Sequence, residues 1–204
     1  MTSASEAWLE KDLEKDLEKD KEPKPAPEPL RRVQSLINTI DRESGRDRLA
    51  SAGEAAPWLT ANGLLAPGST PTDDDLLTLI GVREGLRAVV LQNTDGQAPD
   101  PALVSPLHQL TDGELVRAAV AEDGAVRLAP VGDSVRARLL ALLLIVSDAQ
   151  RDGTWAHLKA CANDDCRWAF YDRSRNHGGT WCDMATCGNK LKNRDFRARR
   201  RTDR

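Results

Sequence analysis

From Leu30 onward, apolar residues recur with the periods of regular structure. Val33, Leu36, Ile37 and Ile40 are spaced three and four apart, which predicts a helix with one buried stripe. Ala55 to Asn62 reads as a short helix carrying Trp58 and Leu59 and closed by Gly63. Thr72 and the acids Asp73, Asp74 and Asp75 open a longer one. Acids favour a helix N-terminus, and Thr72 with Asp75 forms a capping box, so the triplet is read as a cap and not a metal site. Leu76, Leu77, Leu79, Ile80, Val82, Leu86, Val89 and Val90 continue it as a core-facing helix. His108, alone after Pro106, is read as a surface residue. Val116, Ala118 and Val120 alternate with polar or small residues, Glu122 to Gly124 turn, and Val126 and Leu128 alternate again, which predicts a β-hairpin. Asp133 is the expected cap of a second long helix over 134–150, apolar all round at its centre and so buried. The class is α+β, mainly α: a helical domain over 30–152 with one hairpin.

The ends of the chain do not follow these periods. Residues 10–21 repeat Glu-Lys-Asp with only Leu13 and Leu17 apolar, and a Pro-rich stretch follows over 22–29, so 1–29 is expected to be a disordered charged tail. It holds nine acids and five lysines, a net of −4, whereas 188–204 hold eight bases and two acids, a net of +6. That asymmetry says more than the overall charge of −3, and it raises the reading of an acidic tail that masks a basic one. The longest apolar run, 139–146, is eight residues, far short of the ~20 that span a bilayer, and the N-terminus has no apolar leader segment. A soluble cytoplasmic protein is expected. No phosphate-cradling glycine loop, nucleophile elbow or histidine cluster is present, so the protein is not expected to be an enzyme.

Asp152-Gly153-Thr154 breaks the chain, and 153–204 is a separate module containing all four cysteines. Cys161 and Cys166 form one pair, Cys182 and Cys187 another, each with four residues between, and fifteen residues separate the pairs. Two short knuckles at that separation suit a tetrahedral four-thiolate zinc site, with sulfurs about 2.3 Å from the ion. Disulfides are the alternative and need an oxidising compartment; a redox dithiol would normally be Cys-x-x-Cys. One zinc ion per chain is expected. A strand over 155–160 should lead into Cys161, and Trp168, Phe170 and Trp181 should pack over the metal. A terminal helix beginning near Cys187 would carry Lys190, Arg194, Arg197 and Arg201 on one face, with Lys192, Arg199 and Arg200 alongside. Arg173, Arg175 and His177 on the preceding turn could add to this footprint for phosphates, the alternative being a solvated tail that aids solubility. Ser174 and Asn176 are read as holding the turn.

The run from Cys161 through Asp172 and Ser174-Arg175-Asn176 to Trp181-Cys182, Met184 and Cys187-Gly188-Asn189 resembles the CGNR zinc finger over about 155–200. It departs at Lys190, where the family has Arg, and at Asp183, where Ser is usual; Lys keeps the charge but loses the planar fork of donors. Leu36-Ile37-Asn38-Thr39-Ile40, Trp58, Gly63-Leu64-Leu65, Arg83-Glu84 and Leu86-Arg87 are similar to signposts of the mainly helical ABATE domain over 30–150. The resemblance implies a stress-induced transcription regulator. With the basic stripe, the expected partner is nucleic acid, DNA ahead of RNA although the sequence does not decide between them, with no membrane partner and with a second copy or a small-molecule effector engaging the helical domain. The competing reading is a zinc-stabilised protein-interaction or non-specific RNA-binding module.

Overall fold

A computed structural model describes residues 24–191 and Arg194. The tail residues 1–23 and five of the expected nucleic-acid contacts, Lys192, Arg197, Arg199, Arg200 and Arg201, lie outside the described residues.

The body is built from α1 (Arg31–Ile37), a two-residue ladder of β1 (Ile40–Asp41) with β2 (Arg46–Asp47), α2 (Ala52–Ala61), α3 (Asp73–Asp95), α4 (Pro101–Thr111), a hairpin of β3 (Val116–Val120) with β4 (Val126–Pro130), and α5 (Val135–Asp152). A second hairpin follows, β5 (Leu158–Ala160) with β6 (Ala169–Tyr171). The capping box at Thr72 and Asp75 is present: Asp75 N–H donates to Thr72 Oγ1 at 3.1 Å and Thr72 N–H to Asp75 Oδ2 at 2.9 Å.

Five local expectations change. Leu77 is solvent-exposed, because it falls on the outer face of α3 while Leu76 and Leu79 turn inward. The α5 cap is Ser134 and not Asp133: its side chain accepts from Ala137 N–H, three residues on, as a cap must. The strand expected over 155–160 is a 3₁₀ turn at Thr154–His157 and becomes strand only at Leu158, since Gly153 ends α5 in a left-handed conformation (φ 83°) and the chain must first turn back. Helix α4 was hidden by Pro106 at its centre. Asp100 caps it through Ala102 N–H at 2.9 Å, Pro101 starts it, and Pro106 packs on Gly81 of α3, where an added Cβ would lie 3.0 Å from the proline Cβ. Finally, residues 24–29 are not loose: Ala26 is buried, its N–H donates to Gln34 Oε1 at 2.6 Å, and Tyr171 N–H donates to Lys24 C=O at 2.8 Å.

One apolar core joins Val33, Leu36 and Ile37 of α1, Leu79, Val82, Leu86 and Val90 of α3, and Leu139, Leu142 and Val146 of α5. It continues past the expected boundary at 152–153 through Trp155, Leu158, Ala160, Ala169 and Tyr171. The period-two alternation of β6 then divides two environments. Ala169 and Tyr171 enter this core, while Phe170 faces a second cluster with Cys161, Cys182 and Cys187, against which Cys166, Trp168 and Trp181 pack. Among the described residues, no helix is long and apolar enough to cross a membrane.

Candidate metal centre and nucleic-acid interface

The first knuckle is a tight turn built on Asn163. Cys166 N–H and Arg167 N–H both donate to Asn163 C=O, at 3.0 and 2.9 Å, and Arg167 sits at φ 52° to bring the chain back toward β6. Asn163 is itself buried, and its amide Nδ2 donates to Cys187 Sγ at 3.6 Å. The second knuckle is a turn at Met184–Gly188, capped by Asp183, whose carboxylate accepts from Thr186 N–H at 2.8 Å. Here an Asp does the capping work that a Ser would also do. At Gly188 an added Cβ would lie 2.4 Å from Sδ of the exposed Met184, whose side chain would have to swing away, and 3.2 Å from Trp181 Cδ1.

The four sulfurs lie within 4.8 Å of one another. Cys166 Sγ is 3.7 Å and Cys187 Sγ 3.8 Å from Cys182 Sγ. A disulfide would hold two sulfurs at about 2.05 Å. A tetrahedron of sulfurs about 2.3 Å from a central ion has edges of about 3.8 Å, so the set fits zinc. The thiols also crowd one another. Cys161 is driven down to about 2 by accepting from the Cys166 and Cys182 thiols, and Cys166 is pushed up to about 12 chiefly by its bond to Cys161, with burial adding to it. Four thiolates at this spacing require a cation among them.

The turn joining the knuckles is organised by Asp172, whose carboxylate accepts from Ser174 N–H at 3.0 Å, Gly179 N–H at 2.7 Å and Lys159 Nζ at 3.2 Å. Burial alone would raise its pKa, but these hydrogen bonds outweigh it and hold the carboxyl well below the usual range. Gly179 is favoured sterically, since an added Cβ would sit 2.8 Å from the Asp172 carboxylate, which is buried and held by its hydrogen bonds. The Asp-x-Ser-Arg-Asn run is therefore a turn-former through Asp172 and, weakly, Asn176, whose Oδ1 accepts from Gly178 N–H at 3.4 Å.

The finger is stitched to the body by side chains that grip its strand edges. Asn38 binds both edge groups of Ala169, accepting from its N–H at 2.8 Å and donating to its C=O at 3.0 Å, and Gln34 donates to the same C=O at 3.1 Å. Arg87 donates to Ile37 C=O at 2.6 Å and Arg167 C=O at 2.8 Å, oriented by Glu84 at 3.0 Å. Asn93 donates to Trp155 and Leu158 C=O at 2.9 Å, and Thr94 exchanges bonds with Ala160. Sequence reasoning noted Asn38, Glu84 and Arg87 only as signposts and passed over Gln34, Asn93, Thr94, Lys159 and Asn163. The available signal was a polar residue interrupting an apolar stripe, as Gln34 does between Val33 and Leu36.

The expected phosphate contacts divide. Arg175 and Arg194 are exposed. Arg173 is exposed but donates to Pro25 C=O at 2.6 Å and stacks over Tyr171. Lys190 pairs with Glu43, on the loop between β1 and β2.

A metal-binding finger whose backbone is clamped into a helical body defines the class of protein. Residues 157–200 match the CGNR zinc finger model, and residues 30–158, more than half of the chain, match the ABATE model, described as "Putative stress-induced transcription regulator". The chain belongs to the ABATE family and carries a CGNR zinc finger at its C-terminal end. No curated protein matches it.

Proposed function

We propose that the protein is a DNA-binding transcription regulator of a stress response, with one Zn²⁺ per chain held by Cys161, Cys166, Cys182 and Cys187. The observation that carries the reading is the position of the basic segment. The chain leaves Cys187 in a rigid, capped turn directly into Lys190 and the exposed Arg194, in a stretch of net charge +6. The ion fixes the base of that segment, and the segment meets phosphates. Four thiolates fill the coordination sphere and leave no position for a reacting water, so the metal is structural and not catalytic. Lys190 stays available to a phosphate, since a solvent-exposed pair such as that with Glu43 is weak and yields readily.

Arg194, Arg197 and Arg201 replaced together by Gln should weaken DNA binding steeply and flatten its salt dependence by about one unit of slope per lost phosphate contact. Zinc content should not change. Fluorescence anisotropy at two salt concentrations, with and without excess non-specific competitor, reads both. Binding unchanged by the substitutions overturns the reading. Binding abolished by competitor favours a non-specific RNA or protein-interaction module, a second reading that draws on Arg173 and Lys190 having partners within the chain.

A further inference from the structure

Residues 24–26 are fastened to the finger itself. Lys24 Nζ donates to Trp181 C=O at 2.9 Å and lies 4.8 Å from the centroid of the Phe170 ring. Lys24 C=O accepts from Tyr171 N–H at 2.8 Å, and Pro25 C=O accepts from the Arg173 guanidinium at 2.6 Å. Lys24 adopts φ 55°, uncommon for a residue with a side chain, and these contacts hold it there. Trp181 immediately precedes Cys182, whose Sγ is 3.8 Å from Cys187 Sγ. Two segments of opposite charge are thus rooted at one knuckle. Residues 1–23, which lead into Lys24, hold eight acids and four lysines, a net of −4. Residues 188–204, which leave Cys187, have a net of +6. Arg173 and Arg175, on the turn that touches the strap, are exposed.

We propose that the acidic residues 6–22 occupy the basic surface of the finger, at Arg173, Arg175, Lys190 and Arg194, and compete there with nucleic acid. The masking rests on the DNA-binding reading; the contact between the two ends does not. Reach permits it. A chain spans at most about 3.5 Å per residue, so Asp20 extends up to roughly 14 Å from Lys24 and Glu10 up to roughly 50 Å. Arg173 already touches the strap at Pro25, and Lys190 follows Cys187 by three residues.

Each exposed carboxylate–cation pair is weak by itself, and Lys190 already exchanges with one such acid, Glu43. Tethering supplies the rest. A segment on a short linker has an effective concentration in the millimolar range, which the same peptide added in trans would match only at that concentration. DNA carries one charge per about 1.7 Å of its axis, denser than this tail, whose acids alternate with lysines. DNA therefore displaces the tail where it binds well. Such a competitor weakens every DNA complex by the same factor, so weak non-specific complexes empty first and well-matched sites persist.

Carbodiimide cross-linking of the full, zinc-loaded chain tests the contact without nucleic acid, since it joins carboxylates to neighbouring lysines. Glu43 should link to Lys190, the internal standard. Acids within 6–22 should link to Lys190 or Lys192 inside a single chain of 22.4 kDa, and these links should vanish at about 1 M salt, where the screening length is about 3 Å. DNA affinity tests the masking. Glu10→Gln, Glu14→Gln, Glu18→Gln and Glu22→Gln together bring residues 1–23 to no net charge. They should tighten binding at least about fivefold at low salt, with the gap closing as salt rises. Inserting about twenty Gly and Ser residues after Glu22 keeps the charge and should recover most of that gain, because effective concentration falls with roughly the −3/2 power of linker length. Tail cross-links that are absent while Glu43–Lys190 forms, or a four-Gln chain that binds DNA no more tightly than the parent, overturn the proposal. If neither chain binds DNA, the DNA reading falls instead, and the cross-links alone decide whether the two ends meet.

Discussion

The two larger hairpins of this protein are near opposites in what holds them. Every residue of β5–β6 is buried, and every residue of β3–β4 but one is exposed. The exposed hairpin is longer and has the cleaner alternation. The buried one has three residues per strand, and its stability comes from elsewhere: a metal-binding cluster on one face, the apolar core on the other, and amide and guanidinium side chains along its edges. Strand alternation reports that a face is apolar. It does not report whether anything covers that face.

The largest effect expected from breaking this contrast is at the metal. Chelation, or Cys182→Ser, should unfold the knuckles, because in small zinc modules metal binding supplies much of the folding free energy. Near-UV signal from Trp168 and Trp181 should be lost while most of the far-UV helical signal persists, with a lowered melting temperature because β5 and β6 also belong to the main core. Complete loss of helix on chelation would mean that the body depends on the finger as much as the finger on the body.

Arg87→Ala should come next. It removes the donor to the Ile37 and Arg167 carbonyls, while Glu84 keeps Arg83 at 2.8 Å, at an expected cost of about 3–4 kcal/mol by urea denaturation. Asp172→Asn removes the carboxylate charge beside the buried Lys159, leaving it the His177 and Gly179 carbonyls, and should cost about 3 kcal/mol at neutral pH. This effect has a sign in pH. Because the Asp172 carboxyl is held below its ordinary value, its stabilisation is fully present above pH of about 4 and is lost as pH falls through its lower folded value. The gap between wild type and variant should therefore narrow below pH of about 4. Asn38→Ala, which leaves the Ala169 N–H without its partner and the C=O with Gln34 alone, should cost about 1–3 kcal/mol. The smallest effect belongs to the other hairpin: Val126→Thr should change stability by less than about 0.5 kcal/mol, since that side chain is 68% exposed.

Much of this was legible in the sequence because it depends on local rules. The capping box at Thr72, the hairpin over 116–128 and the four-cysteine spacing each follow from residues a few positions apart. The clamps did not show, because a buried Asn or Arg looks like a surface residue until its distant partner is known. Asn38 and Ala169 are separated by 131 positions. Pro106 misled for a different reason: a proline removes one helical hydrogen bond, and the contact with Gly81 compensates within a packed pair that no local window contains.

The clasp of residues 24–29 on the finger has a consequence for how the chain comes off the ribosome. Lys24 reaches Trp181 and Gln34 reaches Ala169, across 157 and 135 positions. Residues 24–38 are thus among the last to find their partners. At about 5–20 residues per second, the nascent chain carries Gln34 and Asn38 for roughly ten seconds or more with their amides facing nothing that will later satisfy them. Assembly is correspondingly a late, whole-chain event with high contact order, gated by synthesis of the second strand of the finger. A ribosome stalled before residue 169 would expose a body that has its helices but not its final edge.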